Sequence, residues 1–192
     1  MYSPFIRKIS LCTVLLSSIF MIGCSTPAPN YSPSISNVEL IKAANANNLS
    51  VGKVQTMSGS QGADAIGLRG SQMISPVGKD YGDYLAYALR QELQLANAYD
   101  PQSGIEISGT LMTNNINAGG MNTNDAQIQA RFVVKKQGVT VYEQTKKAEM
   151  QWESSFAGAV AIPLAMNNYP VLVQKLLSNL FSDPSFVAAI KK

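Results

Sequence analysis

The chain has 192 residues, with 15 Lys and Arg against 12 Asp and Glu, two cysteines and no histidine. Without histidine, Ser-His-Asp and Cys-His catalysis and His-based zinc sites are excluded. The near-neutral balance lacks the clustered positive charge that phosphate binding needs, which argues against nucleic acid as a partner.

Arg7 and Lys8 form a short basic region, and Ile9 to Ile22 is apolar apart from a few Ser and Thr. This is secretory-signal architecture, too short and wrongly flanked for a membrane-spanning helix. It ends in Met21-Ile22-Gly23-Cys24, which resembles a bacterial lipobox, with cleavage expected between Gly23 and Cys24. Cys24 would then carry a thioether-linked diacylglycerol and an N-acyl chain, enough lipid to hold a protein firmly on a membrane. Removal of the first 23 of 192 residues leaves 169, with 13 basic against 12 acidic residues. Cys12 leaves with the signal segment and the Cys24 sulfur is occupied, so the mature protein has no free thiol and no disulfide. Its stability must come from a packed core, which one domain of this size supplies. Ser25 follows Cys24 in place of the Asp that marks inner-membrane retention in enteric-type bacteria. The expected address is the inner leaflet of the outer membrane, facing the periplasm.

Residues 24–50 read as the lipidated cysteine and a tether, followed by a single domain over 51–192. Ser25 to Asn37 holds three prolines and four serines, a composition that favours an extended spacer. A short helix is expected within 38–50, where Leu40, Ile41 and Ala44 share a face, weakened by Asn45, Asn47 and Asn48. Val51 to Thr56 and Ile66 to Gly70 are candidate strands. Gly67-Leu68-Arg69-Gly70-Ser71 reads as a turn, since it lacks the Gly-Lys-Ser/Thr ending of a phosphate loop.

A helix is expected from about Asp83 to Ala96, N-capped by Asp83, with Tyr84, Leu85, Ala88, Leu89, Leu93 and Ala96 facing the core. Tyr81 and Tyr87 are expected to flank it at the surface. Alternation over Ile105 to Leu111 and over Ala126 to Lys135 predicts two half-buried antiparallel strands. Gln137-Gly138 is a hairpin turn, and Val139 to Trp152 returns as a third long strand. The buried set of that strand changes parity between Val141 and Ala148, which predicts a bulge near Glu143 to Lys147. Asn114 to Asp125 reads as a long contact loop, with too little carboxylate for a calcium cage. Ile162-Pro163 opens a helical region interrupted at Pro170 and continuing with Tyr169, Leu172, Val173, Leu176, Leu177 and Leu180 on one face. Asp183-Pro184 starts a last short helix through Phe186 and Ile190.

These elements describe an α+β domain: an antiparallel sheet with a long hairpin and two main amphipathic helices packed on one face. With Cys24, the helix Tyr84-Leu85 to Leu93 before Ile105-Glu106-Ile107, the segment Trp152 to Gly158 and the ending Leu176 to Asp183 with Phe186 and Ile190, the chain resembles the YajG-type bacterial lipoproteins. It departs from that pattern in residues 57–80 and 114–125. The resemblance implies an envelope accessory domain that binds other proteins and brings no catalytic residues.

The function expected from the sequence is that of a non-enzymatic, membrane-anchored binding module for an envelope protein or polymer, with no cofactor beyond the lipid on Cys24 and no metal. Candidate contact residues are Asn114, Asn115, Asn117, Met121 and Asn122 in the loop, and Glu153 and Phe156 after the last strand; Ser154 or Ser155 reads as a cap. Lipid or lipopolysaccharide handling is the alternative, resting on Lys135, Lys136, Lys146 and Lys147. An apolar cavity between sheet and helices would favour it. A glycan hydrolase would need two carboxyls converging across a cleft, whereas the twelve acidic residues are scattered singly.

Overall fold

The computed structural model describes residues Ser25–Lys191; Gly23 and Cys24, with the expected cleavage site and lipid attachment, lie outside the described residues. In chain order the elements are β1 (Ser25–Pro27), α1 (Ile35–Ala43), β2 (Ser50–Thr56), β3 (Ala65–Leu68), β4 (Ser71–Ile74), α2 (Tyr81–Leu95), β5 (Ile105–Asn117), β6 (Thr123–Lys136), β7 (Val139–Glu153), α3 (Gly158–Phe181) and α4 (Pro184–Ile190). The fold is α+β, as expected. A four-stranded sheet of order β2-β5-β6-β7 is covered on one face by helices, and a small sheet of order β1-β4-β3 lies at its side.

Both sheets are mixed, which corrects the purely antiparallel expectation: β2 runs parallel to β5, and β1 parallel to β4. A parallel neighbour needs a crossover, and α2 supplies it by packing on β2 and β5. The long hairpins β5–β6 and β6–β7 are antiparallel. Gln137 and Gly138 both take positive φ (49° and 83°), the turn geometry that matches strand twist in a two-residue hairpin. The predicted bulge in β7 is present but nearer the turn. Tyr142 pairs with Val134 and Thr140 with Lys135, so Val141 is the extra residue. From there Tyr142 and Ala148 point into the core, followed by half-buried Met150 and Trp152.

α2 begins earlier than expected. Asp80, not Asp83, is the N-cap and accepts from the Asp83 N–H at 3.0 Å, while the Asp83 carboxylate accepts from the Lys79 N–H at 2.7 Å. Each carboxylate satisfies a backbone donor at the helix start. Capping at Asp80 places Tyr81 inside the helix and fully buried, against its expected place at the surface; it meets Tyr169 edge-on at 5.0 Å between ring centres. The same choice brings Gly82 so close to the Val54 carbonyl that a Cβ there would lie 2.5 Å from it.

α3 is one helix of 24 residues that runs through both Pro163 and Pro170, so the expected interruption is absent. Each proline removes one backbone bond. The buried stripe Ala161, Ala165, Tyr169, Leu172, Leu176 and Leu180 continues across both sites, and its burial keeps the helix intact. Asp183 caps α4 as expected, accepting from the Ser185 N–H at 2.8 Å, with Pro184 at the first position.

The largest correction concerns the expected tether. Residues 25–43 are packed on the domain as β1 and α1, with Ala28, Tyr31, Val38 and Ile41 buried. Glu92 of α2, fully buried, draws this segment in. Its Oε1 accepts from the Tyr31 hydroxyl at 2.5 Å, the Ser34 N–H at 3.0 Å and the Asn37 amide at 3.0 Å. Burial first, and the Glu92 carboxyl second, hold the Tyr31 hydroxyl well above its usual range, so it stays a donor. Pro27, Pro29 and Pro33 fix φ before folding and lower the entropy lost on docking, so a composition that resembles a spacer also suits a packed extended segment.

Two expected outcomes follow from this packing. Glu92→Ala removes the acceptor of three donors and should lower stability by about 3 kcal/mol. Amide exchange of Ser34 to Ile41 should accelerate ahead of the sheet, and equal protection in both proteins would contradict the role given to Glu92. Asp183 provides the second. Burial raises its pKa, but Lys146 at 2.6 Å, the Tyr142 hydroxyl at 2.8 Å and the Ser185 N–H outweigh that and bring it from 3.8 to about 2. Because the folded value lies below the unfolded one, the stabilisation is complete above about pH 4 and is lost as pH falls toward 2. Denaturant titrations across that window should show Asp183→Asn missing on the order of 1–2 kcal/mol of the wild-type pH dependence.

Candidate functional site

One end of the molecule gathers three chain reversals that are far apart in sequence: the β3–β4 turn at Arg69-Gly70, the β5–β6 loop at 118–122, and the β7–α3 connection at 154–157. Arg69 joins them. Its φ of 49° places it in the two-residue turn between Leu68 and Ser71, whose register holds the side chain over the neighbouring loops. The guanidinium donates through Nε to the Ala118 carbonyl at 2.5 Å and through Nη2 to the Gly120 carbonyl at 2.7 Å. Nη1 donates to the Phe156 carbonyl at 2.9 Å. A further bond ties two of the loops directly, from the Ser154 N–H to the Asn122 carbonyl at 2.8 Å. A planar donor fork on a rigid hairpin can reach several carbonyls that no single backbone segment could supply with partners.

The expected contact residues separate into groups. Met121, Asn122, Glu153 and Phe156 come together at this end, although they belong to two segments distant in sequence. All four are exposed, Phe156 by 79% and Met121 by 64%. The loop is shorter than expected, because β5 extends to Asn117 and β6 starts at Thr123. Asn114 is therefore a buried strand residue, not a contact residue; its amide donates to the Gly62 carbonyl at 2.8 Å. Asn115 and Asn117 alternate with buried Asn114 and Ile116 and are exposed on the opposite, helix-free face, where Asn117 bonds Asp125 at 2.9 Å. Neither Ser154 nor Ser155 caps α3, whose N-cap is Ala157 without a side-chain cap bond; Ser155 instead accepts from the Ala157 N–H at 3.2 Å in the turn before the helix. The sequence places Arg69 only in a turn; an arginine beside glycine between two short strands is the one available sign of its role, and its carbonyl partners leave none.

Three of the four lysines expected to serve lipid handling are engaged within the protein. Lys146 is paired with Asp183, Lys147 with Glu149 at 2.6 Å, and Lys136 donates to the Lys191 carbonyl, so these lysines do not form one free cationic patch. Two surface grooves are lined by Asp125, Ala126, Gln127, Glu149, Met150, Gln151 and Lys175, and by Arg131, Glu143, Gln144 and Thr145, a mixed and mainly polar lining. Among the described residues no group of three or more His, Cys, Asp or Glu could hold a metal ion, and no helix is long and apolar enough to cross a membrane.

Replacing Arg69 by Ala should lower stability by about 2 kcal/mol and speed amide exchange at Ser154 and in 118–122. Arg69→Lys keeps the charge without the fork and should restore little. If the lysine variant matches wild type, charge rather than the three-carbonyl geometry holds the loops.

No family model matches the chain, and no curated protein matches it. Solved structures do. A Xanthomonas campestris protein of the family DUF330 aligns with a TM-score of 0.54 at 9% identity, covering 86% of this chain and 96% of that one. A Caulobacter crescentus protein described as a candidate lipoprotein aligns at 0.45 and 11% identity, over 80% and 98% of the two chains. A protein without assigned function aligns at 0.43 and 10%, over 81% and 97%. None of the three is named as YajG-type. The chain is similar in fold to the Xanthomonas DUF330 protein across nearly all of that protein's length, and the likeness is one of fold.

Proposed function

We propose that this chain is a lipid-anchored, non-enzymatic accessory module of the bacterial envelope, held on the inner leaflet of the outer membrane by Cys24 and facing the periplasm. The lipobox ending at Cys24 carries the reading, and Ser25 in place of Asp supports the outer membrane over the inner. For the non-enzymatic part, support comes from how the titratable groups withdrawn from water are used. Glu92 binds Tyr31, Ser34 and Asn37, and Asp183 binds Lys146, Tyr142 and Ser185, so both serve the fold. The surface offered to an envelope protein or polymer is the helix-free face of the sheet. There Gln127, Gln129 and Arg131 of β6 stand between Asn115 of β5 and Thr145 of β7.

The test uses the full chain expressed in a Gram-negative host fed an alkyne-bearing fatty acid. Wild type should take up the label, and its mature N-terminal peptide should carry the diacylglycerol and N-acyl mass on Cys24. It should also fractionate with outer membranes. Cys24→Ser should lose the label and appear in the soluble periplasm, and labelling of Cys24→Ser equal to wild type would refute the anchor. A photo-crosslinking residue at Gln129 should give a discrete adduct in intact cells. No adduct at Gln129 or Asn115 would remove the sheet face as a binding surface.

A further inference from the structure

We propose that the Arg69-stapled end of the domain lies against the lipid bilayer, with Phe156, Met121 and Val160 seated at the level of the headgroups and upper acyl chains. The proposal rests on the anchored reading of Cys24 and adds to it the face that meets the membrane.

Strand direction supplies the first observation. β1 is parallel to β4 with Ser25 beside Gln72, and β4 begins at Ser71, directly after the Arg69-Gly70 turn. The chain therefore enters the fold at the end where Arg69 joins the loops. Ser25 already belongs to the strand ladder, so the residue that bears the lipid is one peptide unit, about 3.8 Å, from the folded surface. Had residues 25–37 been a spacer, those 13 residues could have held the domain as far as about 45 Å from the lipid. The packed segment leaves no such slack.

Chemistry supplies the second. Phe156 is 79% exposed, Met121 64% and Val160 49%, around the carbonyls that Arg69 binds and the first turn of α3. From Ser154 to Gln174 the chain has 21 residues without one Asp, Glu, Lys or Arg, although this stretch includes exposed helix surface. The opposite end of the sheet also exposes apolar side chains, Val139 and Val141, but beside Lys135, Lys136 and Glu143. A largely apolar tip beside a lipidated residue, with its charge confined to exposed Glu153 and to the Arg69 guanidinium engaged with carbonyls, matches the polarity of the membrane interface.

The third is the Arg69 fork. Backbone carbonyls in irregular loops are poorly tolerated near the hydrocarbon unless they have partners inside the protein. Ala118, Gly120 and Phe156 direct their carbonyls to the guanidinium, so these three acceptors are not left bare at the tip.

The test uses lipidated full-length protein in vesicles of phosphatidylethanolamine and phosphatidylglycerol that contain lipids with a nitroxide on the acyl chain. Phe156→Cys, Met121→Cys and, at the far end, Thr140→Cys are each labelled with an environment-sensitive fluorophore; the Cys24 sulfur is blocked by its thioether. Labels at 156 and 121 should be quenched by the nitroxide lipids several-fold more than the label at 140. Equal quenching at all three, with the lipid mass confirmed on Cys24, overturns the membrane-facing tip and leaves the anchor standing. A label at 156 shielded from a water-soluble quencher yet untouched by nitroxide lipids also overturns it, in favour of a second copy or another protein on this surface. Absence of the lipid mass on Cys24 refutes the anchor and the orientation together.

Discussion

The buried carboxylate of Glu92 is the constraint on which the arrangement of the N-terminal third depends. A carboxyl group with no exposure needs donors around it, and α2 alone cannot supply them. The donors come from Tyr31, Ser34 and Asn37, all from the segment that enters the fold first. Asn37 then passes the connection on to α3 by donating to the Gln174 carbonyl, and the Gln174 amide returns to the Ser32 carbonyl. One buried acceptor thus joins the entry segment, α2 and α3. Apolar burial of Tyr31, Val38 and Ile41 provides the free energy, and the polar group selects the docking that brings three donors to its Oε1.

Elements built on local periodicity were legible in the sequence. The stripe of α2, the alternation of β6, the Gln137-Gly138 turn and the Asp183-Pro184 cap each follow from neighbours within a few residues, and each is present. Features settled by competition between similar local choices were not. Asp80 and Asp83 are both good caps, and only the burial of Tyr81 and the approach of Gly82 to Val54 decide between them. Pro170 breaks an isolated helix, but here Tyr169 and Leu172 sit in a core that outweighs one missing backbone bond. The Pro- and Ser-rich composition of 25–37 suits a solvated spacer and an extended packed strand equally, and the choice between them lies 55 residues or more away, in Glu92.

The site was legible in halves. Residues 121–122 and 153–156 were each recognisable as exposed connections, yet nothing local indicates that they touch. Their meeting follows from the lengths of β5, β6 and β7. Thr123 pairs with Glu153 and Asn117 with Asp125, so both reversals occur at the same level of the sheet. Arg69 then converts proximity into a fixed surface. The longer strands also removed Asn114 from the expected contact set, because a strand that continues past the predicted loop boundary turns every second residue inward.

Those two results bear on one another. A lipid anchor restrains position, and it restrains orientation only when the chain between lipid and fold is short and fixed. Packing of 25–43 through Glu92 makes that chain short, and pairing of Ser25 with Gln72 fixes where it starts. The tip then needs a surface that tolerates the membrane interface and backbone acceptors that do not face it. Arg69 provides the second condition by binding the three carbonyls, which leaves Phe156 and Met121 to provide the first. An arginine at such an interface would ordinarily be assigned to lipid phosphate. Here its three nearest acceptors belong to the protein, so in the proposed orientation it would act on the membrane only through the shape and polarity of the loops it holds.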